Sequence, residues 1–141
     1  MEAYLIATAC TKFEKKPDQT FKDLTKEVYC DLLKSAGVEN GDMIGQAWFG
    51  NCGMGTFGQN NIRGQVCFTP LVQKKLFPER VGIVNVEGGC ATGSMAFHGA
   101  WKDVISGTED VSLAIGVEKI YQPDKPEKIQ EIYDGGIDQF D

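Results

Sequence analysis

The chain has 141 residues, of which 42% are hydrophobic and 24% charged, and its formal net charge is −6 at pH 7. This length and composition are typical of one soluble domain with a sizeable core. No run approaches the ~18 consecutive apolar residues that a membrane span needs. The acidic charge, with no basic cluster and no basic residues interleaved with aromatic ones, argues against binding to nucleic acid.

The cysteines favour a reduced, cytoplasmic protein over a disulfide scaffold or a zinc site. Their number is odd, they are widely spaced, and no CxxC pair is present. They are Cys10, Cys30, Cys52, Cys67 and Cys90. The single histidine, His98, cannot complete a zinc site of the usual kind, and the N-terminus lacks the basic region of a signal peptide. We therefore expect free thiols in a cytoplasm and no bound metal.

The chain begins with the pattern of a strand followed by an amphipathic helix. Residues 3–9 (AYLIATA) predict a buried strand. Thr20 is a good N-cap, and Asp23 completes a capping box. Apolar residues then recur at helical spacing until Gly37, which ends the helix. This apolar stripe predicts core packing, and residues 43–49 predict a second strand.

A glycine-rich segment, GNCGMGTFGQNN at residues 50–61, follows the second strand. Glycines at this density mark close backbone approach or unusual dihedrals, although a flexible surface loop would explain them equally well. Gly53, Gly55 and Gly58 are candidate substrate-binding positions. The segment is not a P-loop, because no GK[ST] follows it.

Two short helices are predicted between the glycine-rich segment and the next strand. Asn60 or Asn61 could cap a helix that runs through Cys67. Thr69-Pro70 predicts a second start, with threonine as N-cap and proline in the first helical position, and this helix would continue to about Phe77.

Residues 81–94 (VGIVNVEGGCATGS) predict a strand, a tight turn and the start of a helix, with Cys90 at that start. The positive end of a helix dipole stabilises a thiolate, and free backbone N–H groups there can bind an oxyanion. Gly88 and Gly89 permit the turn and leave room for a substrate. A buried structural cysteine after a strand is the alternative.

The helix after Cys90 is predicted over about 91–106. Its packed side would consist of Met95, Ala96, Gly99, Ala100, Val104 and Ile105. His98 lies about 12 Å along the helix axis from Cys90, which is too far for a catalytic pair, so we interpret it as a packed or surface histidine. Gly107 ends the helix, and residues 111–117 (VSLAIGV) predict another buried strand.

The alternation of strands and helices predicts an α/β fold with a mostly parallel sheet, flanking helices and right-handed crossovers. Ligand sites in such sheets lie at the carboxyl ends of the strands. Both the glycine-rich segment and Cys90 fall at such ends.

Four segments in order resemble the N-terminal half of a thiolase (acetyl-CoA acyltransferase), closest to the sterol-carrier-protein-2-type branch. They are EAYLIATACTKF, GNCGMGTFGQNNIRGQ, NVEGGCATGSMAFHGA and LAIGVEKI. The resemblance implies a thiolase-like half-domain with αβα layers. The core would span 1–121, and 122–141 would form an acidic loop or tail that begins the family's loop excursion.

The resemblance also implies the chemistry. Cys90 would be the nucleophile that takes an acyl group from an acyl-CoA or 3-oxoacyl-CoA, with its backbone N–H as a possible oxyanion donor. The acyl group would then pass to CoA or to an enolate, which is the logic of covalent catalysis. Gly53, Gly55, Gly58, Gly88 and Gly89 would border the substrate, and coenzyme A would be a substrate rather than a tightly bound cofactor.

Half of the family's active site is missing from this sequence. The activating histidine and a second cysteine lie in the C-terminal half of thiolases, and His98 does not match their motifs. The chain could be a piece of a longer thiolase, a natural split subunit completed by a partner chain, or a degenerate structural subunit. We favour the first because the nucleophile and its glycines are intact, and we expect the fragment alone to be inactive.

A half sheet would leave apolar surface uncovered, so we expect association. The family implies a homo-oligomer and, in some members, a zinc-ribbon/OB-fold partner protein. Alternatives are another thiolase-superfamily condensation, a retro-aldol enzyme acting on CoA thioesters, or a non-catalytic subunit of a complex. Trp48, Phe49 and Phe57 hint at an apolar substrate pocket, although core packing explains them at least as well.

Overall fold

The computed structural model describes residues 2–140, which form a three-stranded parallel sheet with flanking helices. The strands are β1 (Gln46–Gly50), β2 (Gly82–Val86) and β3 (Ser112–Gly116), in the order β2-β1-β3. The helices are α1 (Phe21–Ala36), α2 (Arg63–Gln73), α3 (Thr92–Ile105) and α4 (Glu127–Asp134). Short 3₁₀ turns cover Gly53–Phe57 and Gly89–Ala91. The predicted α/β class with a parallel sheet is confirmed.

Helix α1 is bounded by the residues that the sequence indicates. The Thr20 hydroxyl accepts the backbone N–H of Asp23 at 3.2 Å, and the Asp23 carboxylate accepts that of Thr20 at 2.9 Å. Gly37 ends the helix in the left-handed conformation, at φ 71°, where glycine carries no steric penalty. Because these signals are local, the sequence alone predicts this helix correctly.

The two faces of the sheet pack against different helices. Phe49 is fully buried on the face toward α1 and α2, where the centroid of its ring lies 6.3 Å from that of Phe68. Trp48 points to the opposite face because neighbouring strand residues alternate. There the Trp48 indole packs so closely against α3 that a Cβ added at Gly99 would overlap it. The Trp48 Nε1 also donates to the Asp103 carboxylate at 2.7 Å. Trp48 and Phe49 are therefore packing residues rather than walls of a substrate pocket.

The predicted strand at residues 3–9 is wrong in this structure. Residues 2–13 carry no regular secondary structure, and Leu5 is 70% exposed. A strand forms only with a neighbour to which its backbone can bond. Here a cavity of about 950 Å³ separates this segment from β3, with α1 and α3 as its other walls, so the segment has an apolar strand sequence without a strand partner.

The two helices predicted between residues 60 and 77 are a single helix, α2, which ends at Gln73 rather than at Phe77. Pro70 lies inside it, where the ring removes only the one N–H that would reach back four residues. The Thr69 hydroxyl donates to the Gln65 carbonyl at 2.9 Å within the helix instead of capping a new one. Ile62, in the left-handed region at φ 48°, occupies the N-cap in place of an asparagine.

Helix α3 buries a narrower face than predicted. Ala96, Gly99 and Ala100 are buried, as expected, while Val104 and Ile105 are half-buried. Met95 is 43% exposed, so its assignment to the packed side is wrong. Its sulfur lies over the backbone of Gly88, outside the core.

Within residues 2–140, none of the helices combines the length and the apolar character required to cross a bilayer.

Candidate functional site

The glycine-rich segment and the Cys90 turn meet at the carboxyl ends of β1 and β2, as the parallel sheet predicts. The backbone N–H of Asn51, directly after β1, donates to the Val86 carbonyl at the end of β2 at 3.3 Å. One residue further, the Cys52 thiol donates to the Gly89 carbonyl at 3.2 Å. Two segments 37 residues apart in the chain thus form one side of a site.

Cys90 is exposed in the 3₁₀ turn Gly89–Ala91, directly before the first residue of α3. The sequence placed it at the start of a helix, and it lies within one turn of the positive end of the α3 dipole. Gly89 has a left-handed φ of 56°, so the chain reverses sharply before the thiol. Exposure does not fit the alternative of a buried structural cysteine.

Thr92 holds this turn from the inside. Its hydroxyl accepts the N–H of Gly88 at 2.9 Å and donates to the carbonyl of Gly89 at 2.8 Å. The Thr92 side chain fits against β1 because Gly50 has no side chain. A Cβ at Gly50 would lie only 2.9 Å from the Thr92 methyl group. Nothing in the local sequence marks Thr92, because its hydrogen-bond partners depend on the geometry of the turn.

The glycine-rich segment is anchored by Asn51 and Glu118. The Glu118 carboxylate, directly after Val117, accepts the N–H groups of Cys52 at 2.9 Å and Gly53 at 3.1 Å. The Asn51 amide donates to the Val117 carbonyl at 2.7 Å. Because these bonds join residues 65 to 67 positions apart, the segment is fixed by tertiary contacts and is not a flexible surface loop. Asn51 lies in the segment GNCGMGTFGQNNIRGQ and Glu118 in the segment LAIGVEKI, but the sequence spacing does not indicate that the two residues meet.

Local geometry explains the glycines of this segment. A Cβ at Gly53 would lie 2.7 Å from a Glu118 carboxylate oxygen, and one at Gly55 would lie 2.9 Å from the Asn60 side-chain oxygen. Gly58 ends the 3₁₀ turn in the left-handed region, at φ 95°. A role for these glycines in substrate binding stays a prediction.

The glycines beside Cys90 fall into two kinds. The sulfur of Met95 lies against the backbone of Gly88, so a side chain at position 88 would require the exposed Met95 side chain to move. Gly89 and Gly93 have no atom within 4 Å of an added Cβ. The space next to the Cys90 turn is therefore open, as a substrate that approaches the backbone would require.

The family comparison agrees with this arrangement. The family described as thiolase, N-terminal domain, matches residues 3–135. The chain belongs to the thiolase family. The predicted resemblance is thereby confirmed at the level of the family.

Curated thiolase relatives match most of the chain. The benzoylsuccinyl-CoA thiolase subunit BbsB of Thauera aromatica is 32% identical over 117 residues, covering 83% of this chain and 28% of the relative. The acetyl-CoA acetyltransferase of Methanocaldococcus jannaschii is also 32% identical over 117 residues, covering 82% and 28%. That of Methanothermobacter thermautotrophicus is 30% identical over 116 residues, covering 82% and 29%. The chain spans less than a third of the length of these relatives.

Among the other titratable residues of this thiolase domain, Glu87 lies at the Cys90 turn, where its carboxylate accepts the Gly89 N–H at 2.8 Å. His98 is exposed on α3 and stacks on Trp101 at 5.4 Å, which fits the interpretation of a surface histidine. Cys67 is fully buried in the core, and this burial raises the pKa of its thiol. All five cysteines are free, and Cys52 and Cys90 are the two that lie at the site.

Proposed function

We propose that the protein is a thiolase-type acyltransferase that cleaves or forms 3-oxoacyl-CoA, with Cys90 as the residue that carries the acyl group. The observation that supports this most directly is the exposed Cys90 thiol on a braced turn before α3, beside open space at Gly89 and Gly93. Family membership supports the same reaction class. The sterol-carrier-protein-2-type branch stays a prediction.

The proposed reaction has two steps. The Cys90 thiolate attacks the 3-oxoacyl-CoA keto carbonyl, and the carbonyl oxygen becomes an oxyanion that the Cys90 backbone N–H stabilises. The carbon–carbon bond then breaks, acetyl-CoA leaves after protonation of its α-carbon, and a thioester remains on Cys90. A second CoA thiolate attacks that thioester and releases a shortened acyl-CoA with the free thiol. In the biosynthetic direction an enolate replaces the second CoA.

The resemblance assigns the proton transfers to a histidine and a second cysteine, and the one histidine among residues 2–140 does not match the family's motif. His98 stacks on Trp101 instead, so we expect a histidine and a second cysteine to come from polypeptide outside this chain, either a C-terminal half or a partner. The length of the curated relatives supports a longer functional unit. We therefore expect the 141-residue chain alone to be inactive.

The side of the sheet next to the edge strand β3, here called the open flank, supports association. The cavity between the N-terminal segment and β3 has apolar exposed side chains on its walls. They are Tyr4, Leu5, Ile6, Phe97 and Trp101. We expect further polypeptide or a second copy to cover them, giving a homo-oligomer, with a zinc-ribbon/OB-fold protein as a further possible partner. The relative from Thauera aromatica is itself named as a subunit.

The proposal extends to domain limits and location. Residues 1–121 would be the thiolase core, and 122–141 would begin a loop excursion whose helix α4 places Ile132 against Gly53, 3.1 Å from its added Cβ. The free thiols fit a cytoplasmic location. Coenzyme A would enter only as part of the substrates, and no tightly bound cofactor is proposed.

Mass spectrometry after brief exposure to an acyl-CoA tests the proposal, in the longest polypeptide that contains this chain. We expect an acyl adduct that maps to Cys90, persists in the control variant Cys10→Ala, and disappears in Cys90→Ala. Cys10 is a suitable control because it is exposed and bonds only to its neighbour Thr11. A folded wild type that forms no adduct would instead favour a non-catalytic subunit.

A further inference from the structure

We propose that Cys52 is a positioning residue for Cys90, because its thiol holds the carbonyl of Gly89, the residue directly before the nucleophile. This inference rests on the proposed function in taking Cys90 as the acyl acceptor. The sulfur of Cys52 lies 3.2 Å from the Gly89 carbonyl oxygen and 3.0 Å from the Thr92 hydroxyl. Cys52 therefore lies beneath the turn that presents Cys90.

The acceptor fixes the direction of the bonds that end on the Gly89 carbonyl. Thr92 has one hydroxyl proton, which it donates to the Gly89 carbonyl at 2.8 Å, and its oxygen already accepts the Gly88 N–H. A carbonyl oxygen has no proton to donate, so the contact between Cys52 and the Gly89 carbonyl uses the thiol proton of Cys52. The backbone N–H of Thr92 also donates to the Gly89 carbonyl, so the Cys52 thiol is one of three donors around that oxygen.

This carbonyl belongs to the same peptide group as the Cys90 N–H. Donors on the oxygen of a peptide polarise it, so that its N–H becomes a stronger donor to a developing oxyanion. Cys52 would thus act on the transition state through the Gly89–Cys90 peptide, without touching the substrate.

The turn depends on hydrogen bonds for its orientation. Gly89 is left-handed and has no packed neighbour at its Cβ position, so side-chain packing cannot fix the peptide. Cys52 is itself fixed, because its backbone N–H donates to the Glu118 carboxylate at 2.9 Å. The end of β3 is thereby connected through Cys52 to the turn that carries the nucleophile.

The same geometry separates the two cysteines of the site. Cys52 is half-buried and uses its proton within the turn, whereas Cys90 is exposed. Cys52 is therefore a donor that supports the turn, and Cys90 is the thiol that a substrate can reach.

The test compares two reagents on Cys90 in the longest polypeptide that contains this chain. Acetylation by p-nitrophenyl acetate forms an oxyanion, whereas alkylation by iodoacetamide does not. Cys52→Ala and Cys52→Val remove the donor, Cys52→Ser keeps one, and Cys30→Ala in α1 is the control. Each variant is first checked for its fold by circular dichroism, and adducts are mapped by mass spectrometry.

We expect acetylation of Cys90 to slow by about three- to tenfold in the variants without a donor, the equivalent of one net hydrogen bond. Cys52→Ser and Cys30→Ala should stay within about twofold of wild type, and alkylation should change less than about twofold in all variants. Unchanged acetylation in Cys52→Val, equal slowing with both reagents, or acetylation of Cys52 itself would overturn the inference. Neither reagent contains CoA. A protein that fails to react with an acyl-CoA would therefore contradict the proposed function, whereas these two reagents test the role of Cys52.

Discussion

Among single residues, Asn51 joins the segments that build the site. Its side-chain amide donates to the Val117 carbonyl at 2.7 Å and to the Glu118 carboxylate at 3.1 Å, while its side-chain oxygen accepts the Met54 N–H at 2.9 Å. It is only 2% exposed, so water cannot replace any of these partners. The conformation of the glycine-rich segment should therefore depend on the amide and not only on the shape of the side chain.

The substitution Asn51→Asp tests that dependence, because it keeps the shape and replaces a donor by an acceptor. A second carboxylate would face the Val117 carbonyl and the Glu118 carboxylate, and we expect the free energy of unfolding to fall by about 2 kcal/mol or more. Urea denaturation measures the change. Asn61→Asp is the matched control, since Asn61 is exposed. Equal effects at the two positions would contradict a special role for Asn51.

Some site residues were predicted from the sequence, and others were found only in the structure. The two groups differ in how far away along the chain their hydrogen-bond partners lie. Cys90 and its flanking glycines form one continuous motif, so the local pattern identified them. Thr92, Asn51 and Glu118 act through a turn geometry or through partners more than 60 residues away. A single sequence carries no signal for such a pairing.

At the level of elements, the close approach of α3 to the sheet depends on Gly99. An added Cβ there would overlap the Trp48 indole, which is held in place by its bond to Asp103. Gly93, in the first turn of the same helix, has open space at its Cβ position. The two glycines therefore share a helix but differ in the room that they have.

This difference predicts opposite effects of the same substitution. Gly99→Ala should lower the free energy of unfolding by about 1–3 kcal/mol, because overpacking outweighs the gain in helix propensity. Gly93→Ala should raise it by about 0.5–1 kcal/mol. Thermal unfolding followed by circular dichroism distinguishes them. A stabilising Gly99→Ala would mean that Trp48 can move aside and that the contact does not set the helix position.

Elements with local signals were predicted well, and those that depend on a neighbour were not. Helix α1 has its capping box and its terminal glycine in the sequence. The apolar run at residues 3–9 has the pattern of a strand, but pairing decides whether it becomes one. At Pro70, the tertiary packing of α2 overrides the local break that proline indicates.

For the whole molecule, the open flank is the feature that separates this chain from a self-sufficient domain. Its cavity lies between an apolar segment without pairing partners and the outer edge of β3, with the aromatic side chains of α3 as a third wall. Apolar surface of this kind is normally covered in a soluble protein. The 141-residue chain on its own should therefore self-associate.

A charge on this flank should weaken that association. Leu5 is 70% exposed and lines the cavity, so Leu5→Glu removes an apolar contact of about 1.5–3 kcal/mol and desolvates a carboxylate in any complex that covers it. We expect the dissociation constant from sedimentation equilibrium to rise by about tenfold or more. Ile137→Glu is the control, because Ile137 is similarly exposed but lies outside the cavity wall. If the two variants weaken association equally, general surface hydrophobicity drives it, and the flank is not the contact.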